Sequence, residues 1–344
     1  ETLKAAMAAV ELDIEPLPPV YALEDAIEKK EVIWGSDNVI DEYRTERGDL
    51  DKGFAEADLT VEGDWRTGHQ EQLYMETQGM SARMRPDGGV DVLGSMQCPF
   101  YVLNAVGKIL GLPLEKINVK QSPTGGAFGG KEDYPSILGC YAALLAKNSG
   151  HAVRMVYSRH EDILSTPKRH PSQSHYKMGL TKDGKITALD VEMLLDAGAY
   201  TTLSRVVLQR THLHAAGCYY VPNVRVHSRA IATNTPPNGA FRGFGAPQAI
   251  FAMERTMDKA AKALGMDPLD LRLKNALRTG DLFPYGQKLT ESNNAEAVLL
   301  KAAELSDYRR KREEYAKKPK SRLMKGIGIA VALHGGGFTG SGED

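Results

Sequence analysis

Residues 117–134 read INVKQSPTGGAFGGKEDY. The β-branched run Ile117–Gln121 predicts a strand, a glycine-rich loop follows, and the apolar, alanine-rich stretch Tyr134–Lys147 predicts a helix. Strand, glycine loop and helix in that order are also the setting of a phosphate-binding loop. Gly125, Gly130 and Lys131 satisfy the G-x-x-x-x-G-K part of its signature. The next residue should be Ser or Thr, whose hydroxyl holds magnesium. Here Glu132 and Asp133 follow. Carboxylates at that place argue against phosphate and call for another occupant.

On both sides of this loop the chain mixes strand and helix signals without a regular βαβ alternation. Leu59–Gly63, Gln72–Pro86 and Val90–Ser95 alternate as strands, and Phe100–Leu110 reads as a helix closed by Gly111 and Pro113. Val153–Ser158, His175–Leu180, Lys185–Leu195 and Val224–Thr233 read as further strands, with a turn at Lys182-Asp183-Gly184. Helices are expected over 1–11, Ala22–Lys29, Pro247–Ala263 and Pro268–Ala276, and an exposed helix and linker over 302–322. Thr211–Tyr220 reads either way, and the polar stretch Asp37–Leu50 suggests a boundary. Ile327–Leu333 predicts a strand leading into a last glycine-rich loop. The expected fold class is α+β, with mixed sheets, packed helices and several subdomains.

The 344 residues are 42% hydrophobic and 25% charged, with a formal net charge of -1. That balance gives no overall electrostatic case for nucleic acid or an anionic membrane. Cys98, Cys140 and Cys218 are isolated, which argues against a zinc or iron–sulfur site and suits a reducing, cytoplasmic compartment. His212 and His214 lack a third ligand at recognisable metal spacing. No apolar run approaches the ~20 residues of a membrane span. The chain opens at Glu1 inside a helical pattern, so a fragment or processed piece is expected.

Two further loops share the character of the first. They are GAFRGFGAPQ, residues 239–248, and GGGFTG, residues 335–340. In each, phenylalanine stands among glycines, whose missing side chains cannot cover it. The ring must plug the core or meet a flat ligand. Rings beside Arg242 and Glu132 describe a pocket for a flat, polar heterocycle.

GGAFGGKE, AFRGFGAPQ and His69–Glu76 (HQEQLYME) together resemble the molybdenum hydroxylase family, which includes xanthine dehydrogenase and aldehyde oxidase. The likeness is to its molybdopterin-binding large subunit and extends over essentially the whole chain. It implies the end of an α/β hammerhead-like subdomain over 1–45 and a first molybdopterin-binding domain over 46–295. A linker and the start of a second such domain would occupy 296–344. The implied cofactor is molybdopterin, its cytosine dinucleotide form left open, with iron–sulfur clusters and FAD on partner domains or subunits. The implied activity is hydroxylation of a purine or related N-heterocycle with oxygen from water; an aldehyde oxidoreductase of the same family, or a non-catalytic fragment with an incomplete cofactor pocket, is the alternative.

Position by position, the resemblance makes Gln70 a hydrogen-bond partner of a molybdenum oxygen ligand. Gly126 and Phe128 lie in the loop whose backbone reaches those ligands, and Arg242 stands beside the cofactor. Gln70, Phe128 and Arg242 would approach the metal through its oxygen ligands and none is a direct protein ligand, while Gly126 is implied only as cofactor-binding. On the substrate side it implies stacking by Phe244 and Phe338, a hydroxyl contact from Thr339, and anchors at Glu132 and Arg210. Glu132 fits a purine, where an aldehyde-oxidising relative would carry an apolar residue. Glu132 as a helix N-terminal charge remains the alternative. Gly243 replaces the cysteine of the carbon-monoxide-oxidising branch, which removes that chemistry. The family's general base lies past the matched region, so no catalytic base is assigned, and the remainder of the large subunit is an expected partner.

Overall fold

The computed structural model describes residues 2–317 and 322–335. Two hydrophobic cores organise it. The first is a four-stranded sheet of β3 (Gly79–Met84), β4 (Val90–Gly94), β5 (Ile117–Gln121) and β6 (Val153–Val156) in the order β5-β4-β3-β6. β4 runs parallel to β5, and β3 is antiparallel to both β4 and β6. Helices α4 (Pro99–Leu110) and α5 (Pro135–Ser149) cover one face. α4 buries Val102, Val106 and Leu110, four residues apart, so they form one stripe. α5 answers with Leu138, Ala142, Ala143 and Ala146, whose small side chains let the helices approach closely.

The second core lies under a five-stranded sheet. Its strands are β1 (Val39–Arg47), β2 (Leu59–Thr67), β8 (Ser172–Leu180), β9 (Ile186–Gly198) and β10 (Asn223–Ala232), in the order β1-β10-β9-β8-β2. Only the β9–β10 pair is parallel. Helices α8 (Ala246–Leu264) and α9 (Pro268–Asn275) bury Ala249, Ala252, Met253, Met257, Leu269 and Leu271 beneath it. α7 (Ser204–Leu213) packs Val207 and Leu208 with Leu195 and Ala230. A two-stranded parallel pair, β7 (Lys168–Arg169) with β11 (Asn238–Gly239), stands apart from both sheets. The other α-helices among the described residues are α1 (Thr2–Ala8), α2 (Leu23–Ile27), α3 (Leu50–Ala55), α6 (Arg159–Ser165), α10 (Ala295–Leu305) and α11 (Tyr308–Ala316).

The α+β class with mixed sheets is as expected, but several elements differ. Residues 39–47 form a strand within the polar stretch, so the expected division at 45/46 falls inside β1. β1 is an edge strand that buries Ile40 and leaves Glu42, Arg44 and Glu46 exposed, so it reads as polar. Strand character in Gln72–Pro86 is confined to Gly79–Met84; ahead of it Leu73 takes a positive φ of 49° that breaks the pleat. Ser204–Leu213 is helical, which settles part of the ambiguous segment. Ile327–Leu333 forms no strand: among the described residues it has no ladder partner. Ile327, Ile329 and Leu333 pack instead on the second core.

Candidate active site

The glycine loop 125–131 is pinned at both ends by one carboxylate. Glu76 Oε2 accepts from Gly125 N at 2.7 Å, Ser95 Oγ at 2.8 Å and Lys131 Nζ at 3.0 Å. Burial raises the Glu76 pKa, but these donors outweigh it and hold the carboxyl below its usual range. Lys131 is 0% exposed, with its ammonium 4.8 Å from the Tyr74 ring centroid. It is therefore a structural cation with no access to a phosphate.

Behind the loop a second network fixes its far side. α6 opens with a capping box at Ser158 and Glu161, which sets the buried Asp162. Asp162 accepts from Tyr74 Oη and Gln78 N, each at 2.7 Å. Gln78 Nε2 donates onward to Gly130 O at 2.7 Å. None of Tyr74, Glu76, Gln78 or Asp162 is a sequence candidate; only the fold brings them together.

The first and second loops then meet backbone to backbone. Arg242 N donates to Phe128 O at 2.9 Å, and a Cβ at Gly129 would stand 2.7 Å from the Ala240 carbonyl. Only glycine permits that approach, and Gly129 also takes φ +100°. Phe128 and Phe244 adopt positive φ, 55° and 49°, although neither is glycine. Such strain persists where surroundings impose it, as at ligand sites.

These loops border a cavity of about 420 Å³. Phe128, Glu132, Arg210, Arg242 and Phe244 line it, which brings together five of the expected residues. One wall, with Gln97, Cys98, Phe128 and Glu132, comes from the four-stranded core. The other, with Arg210, Phe241–Phe244 and His334, comes from the five-stranded core. Gln97 Nε2 donates to Glu132 Oε1 at 3.3 Å, while Gln97 Oε1 accepts from Gly129 N at 3.0 Å. Arg210 lies 5.8 Å from the Phe244 ring centroid, and its Nη1 is 3.2 Å from His334 Nε2. A guanidinium only donates, so His334 Nε2 accepts and Nδ1 carries the proton, which it gives to Gly335 O at 3.0 Å. His334 and Gln97 are residues that motif reading missed, being set by neighbours distant in sequence.

Gln70 stands outside the cavity lining and is exposed. Its amide oxygen accepts from Arg169 Nε, and Arg169 Nη2 donates to Arg242 O at 2.8 Å. Gly126 (φ +96°) shapes the loop beside Tyr74 without lining the cavity. Phe338 and Thr339 lie outside the described residues. His69 bonds Asn238 at 3.1 Å. Among the described residues no group of three His, Cys, Asp or Glu side chains forms a metal site, and no helix is long and apolar enough to cross a membrane.

Residues 34–276 match the family model of a molybdopterin cofactor-binding domain. The nicotinate dehydrogenase large molybdopterin subunit of Eubacterium barkeri is 38% identical over 305 residues, covering 88% of this chain and 71% of that protein. A probable xanthine dehydrogenase subunit of Bacillus subtilis (strain 168) is 34% identical over 339 residues, 98% of this chain and 45% of that one. The aldehyde oxidoreductase of Desulfovibrio gigas matches with a TM-score of 0.83 at 31% identity, over 92% of this chain and 35% of the other. The chain thus spans from about a third to about 71% of the length of these relatives. Family model, relatives and the glycine-loop cavity agree: the chain belongs to the molybdopterin-binding family of molybdenum hydroxylases.

Proposed function

We propose that this chain forms the substrate-gripping face of a molybdopterin-dependent hydroxylase acting on a purine or related N-heterocycle, with oxygen from water. Electrons would pass to iron–sulfur and flavin partners, and the remainder of the large subunit would complete the site. A cytoplasmic setting accords with three widely spaced cysteines. The observation that carries the proposal is one cavity holding Glu132, Arg210 and the loop phenylalanines Phe128, Phe241 and Phe244.

The residues present fit the cofactor. Gly129 opens the backbone, Arg242 is an exposed cation at the rim, and the buried Arg169 Nη1 has no hydrogen-bond partner among the described residues. When bound, the pterin-held molybdenum would supply oxygen insertion at an electron-poor C–H bond. Phe128 and Phe244 would bracket the ring. Glu132, steadied by Gln97, accepts from a ring N–H; Arg210, steadied by His334, donates to a ring carbonyl or nitrogen. Anchors held before binding lose less freedom on binding. The base remains unassigned.

A pyridine carboxylate is the second reading. Its support is the pair of guanidiniums, Arg210 and Arg242, against the single lining carboxylate Glu132. The relative named for nicotinate accords with it.

One variant set separates these readings in the assembled enzyme. Glu132→Val should lower kcat/KM for xanthine or hypoxanthine by about tenfold to a hundredfold, the worth of a charge-assisted hydrogen bond, and spare an aromatic aldehyde. For nicotinate, Glu132→Val should do no harm and Arg210→Met should be the damaging change. Equal losses on purine and aldehyde would show that Glu132 serves the loop and not the ring.

A further inference from the structure

Three arginines are buried among the described residues, Arg169, Arg210 and Arg272, and the surroundings of the first and last are opposite. Arg272 (0% exposed) donates to Glu254 at 2.8 Å and Asp258 at 2.9 Å. It is a balanced cation. Arg169 (6% exposed) has no carboxylate within ion-pair distance among the described residues, and its Nη1 is an orphan. Burial pushes its pKa down to about 10, which marks a charge that the protein itself does not compensate.

What Arg169 does touch is the cofactor-facing edge of the site. Its guanidinium sits 3.9 Å from the Phe241 ring centroid, behind the cavity wall, and donates to Arg242 O. Its backbone N donates to Gln70 O at 3.0 Å, and its Nε faces the Gln70 amide. A guanidinium has no acceptor, so the amide atom that meets it must be the oxygen. The Gln70 nitrogen is thereby turned outward with no partner among the described residues. The β7–β11 pair places Arg169 between the two loops and makes the contact possible.

We propose that Arg169 is a positioning residue: it locks the Gln70 amide with its NH2 presented to the cofactor, and lends the site an uncompensated positive charge for an anionic group. This rests on Gln70 and Arg242 serving the cofactor, and it deepens that assignment.

The test uses the complete assembled enzyme and compares Arg169→Gln, Arg169→Lys, Gln70→Ala and the Arg169→Gln/Gln70→Ala double. Molybdenum by elemental analysis, released pterin by fluorescence, and kcat with KM are read together. Arg169→Gln should lower molybdenum occupancy or kcat by about 10–100-fold, as loss of outer-shell support does. Arg169→Lys should retain metal but lose kcat, since an ammonium keeps the charge without the two-armed geometry. The double variant should be no worse than the poorer single, because both changes remove one arrangement. Multiplying losses, or silent Arg169 variants beside an impaired Gln70→Ala, would overturn this inference alone. A silent Gln70→Ala would overturn the cofactor assignment and this inference with it. If Arg169→Gln is too unstable to purify, Arg169→Lys decides: full kcat with full metal defeats the proposal.

Discussion

Lys131 stands where a phosphate loop keeps its free ammonium, yet it is wholly enclosed beside Glu76, Ser95 and Tyr74. The pattern G-x-x-x-x-G-K is thus satisfied by a residue doing the opposite job, a strut inside the loop. Removing its anion should hurt more than removing the pair. Glu76→Ala strands a buried cation and should cost about 3 kcal/mol, the low end for breaking a buried pair, because Glu76 itself is partly exposed. Lys131→Met with Glu76→Gln should restore much of that loss, and urea unfolding of the three proteins checks the order. Glu132 stood out in the sequence as a carboxylate beside glycines, Arg210 only through the family resemblance, and both line the same cavity. Gln97 and His334 were not, since their worth lies in whom they bond and not in their spacing.

Among the elements, α7 shows how burial changes chemistry. His212 is held by Thr45 at 2.7 Å and Ser228 at 3.0 Å, both neutral hydroxyls. Burial, with a smaller push from His227, lowers its pKa from 6.5 to about 4. The sign follows directly: folding favours the neutral ring, so its contribution is present above the unfolded value of 6.5 and is lost as pH falls toward 4. His212 alone should make the protein about 2 kcal/mol less stable at pH 5 than at pH 7. His170 and His214 shift the same way and steepen the slope. His212→Gln should flatten the pH dependence of urea unfolding by that amount; an unchanged slope would refute the assignment. Helix and strand periodicity made most of the core elements legible. It failed at β1, an edge strand whose outward charges mask its alternation, and at 327–333, where alternating residues bury against a core with no ladder beside them.

At the scale of the molecule, a buried network ties the last described segment to the second core. Glu254, on α8, accepts from Arg272 of α9, from Tyr219 and from Val331 N at 3.3 Å. Burial raises the Glu254 pKa, and Arg272 is the leading charge opposing that rise. Through Val331 this network sets the stretch that delivers His334 to Arg210. Arg272→Met should cost about 3–5 kcal/mol and expose the Val331 amide to hydrogen exchange. Adding Glu254→Gln should recover part of the stability, since the uncompensated charge goes with it. No motif announces this linkage, because its members are separated by tens of residues and share no pattern.

The cavity's two walls belong to different cores and touch through main-chain contacts at Phe128–Arg242 and Gly129–Ala240. Main-chain contacts are largely indifferent to side-chain identity. Selection can therefore rewrite Glu132 on one wall without disturbing how Arg210 is presented on the other. If Glu132 and Arg210 grip the ligand as proposed, its preference would drift by halves, each body supplying its own vocabulary to a shared seam. Relatives named for nicotinate, xanthine and aldehyde on one architecture are what that partition allows.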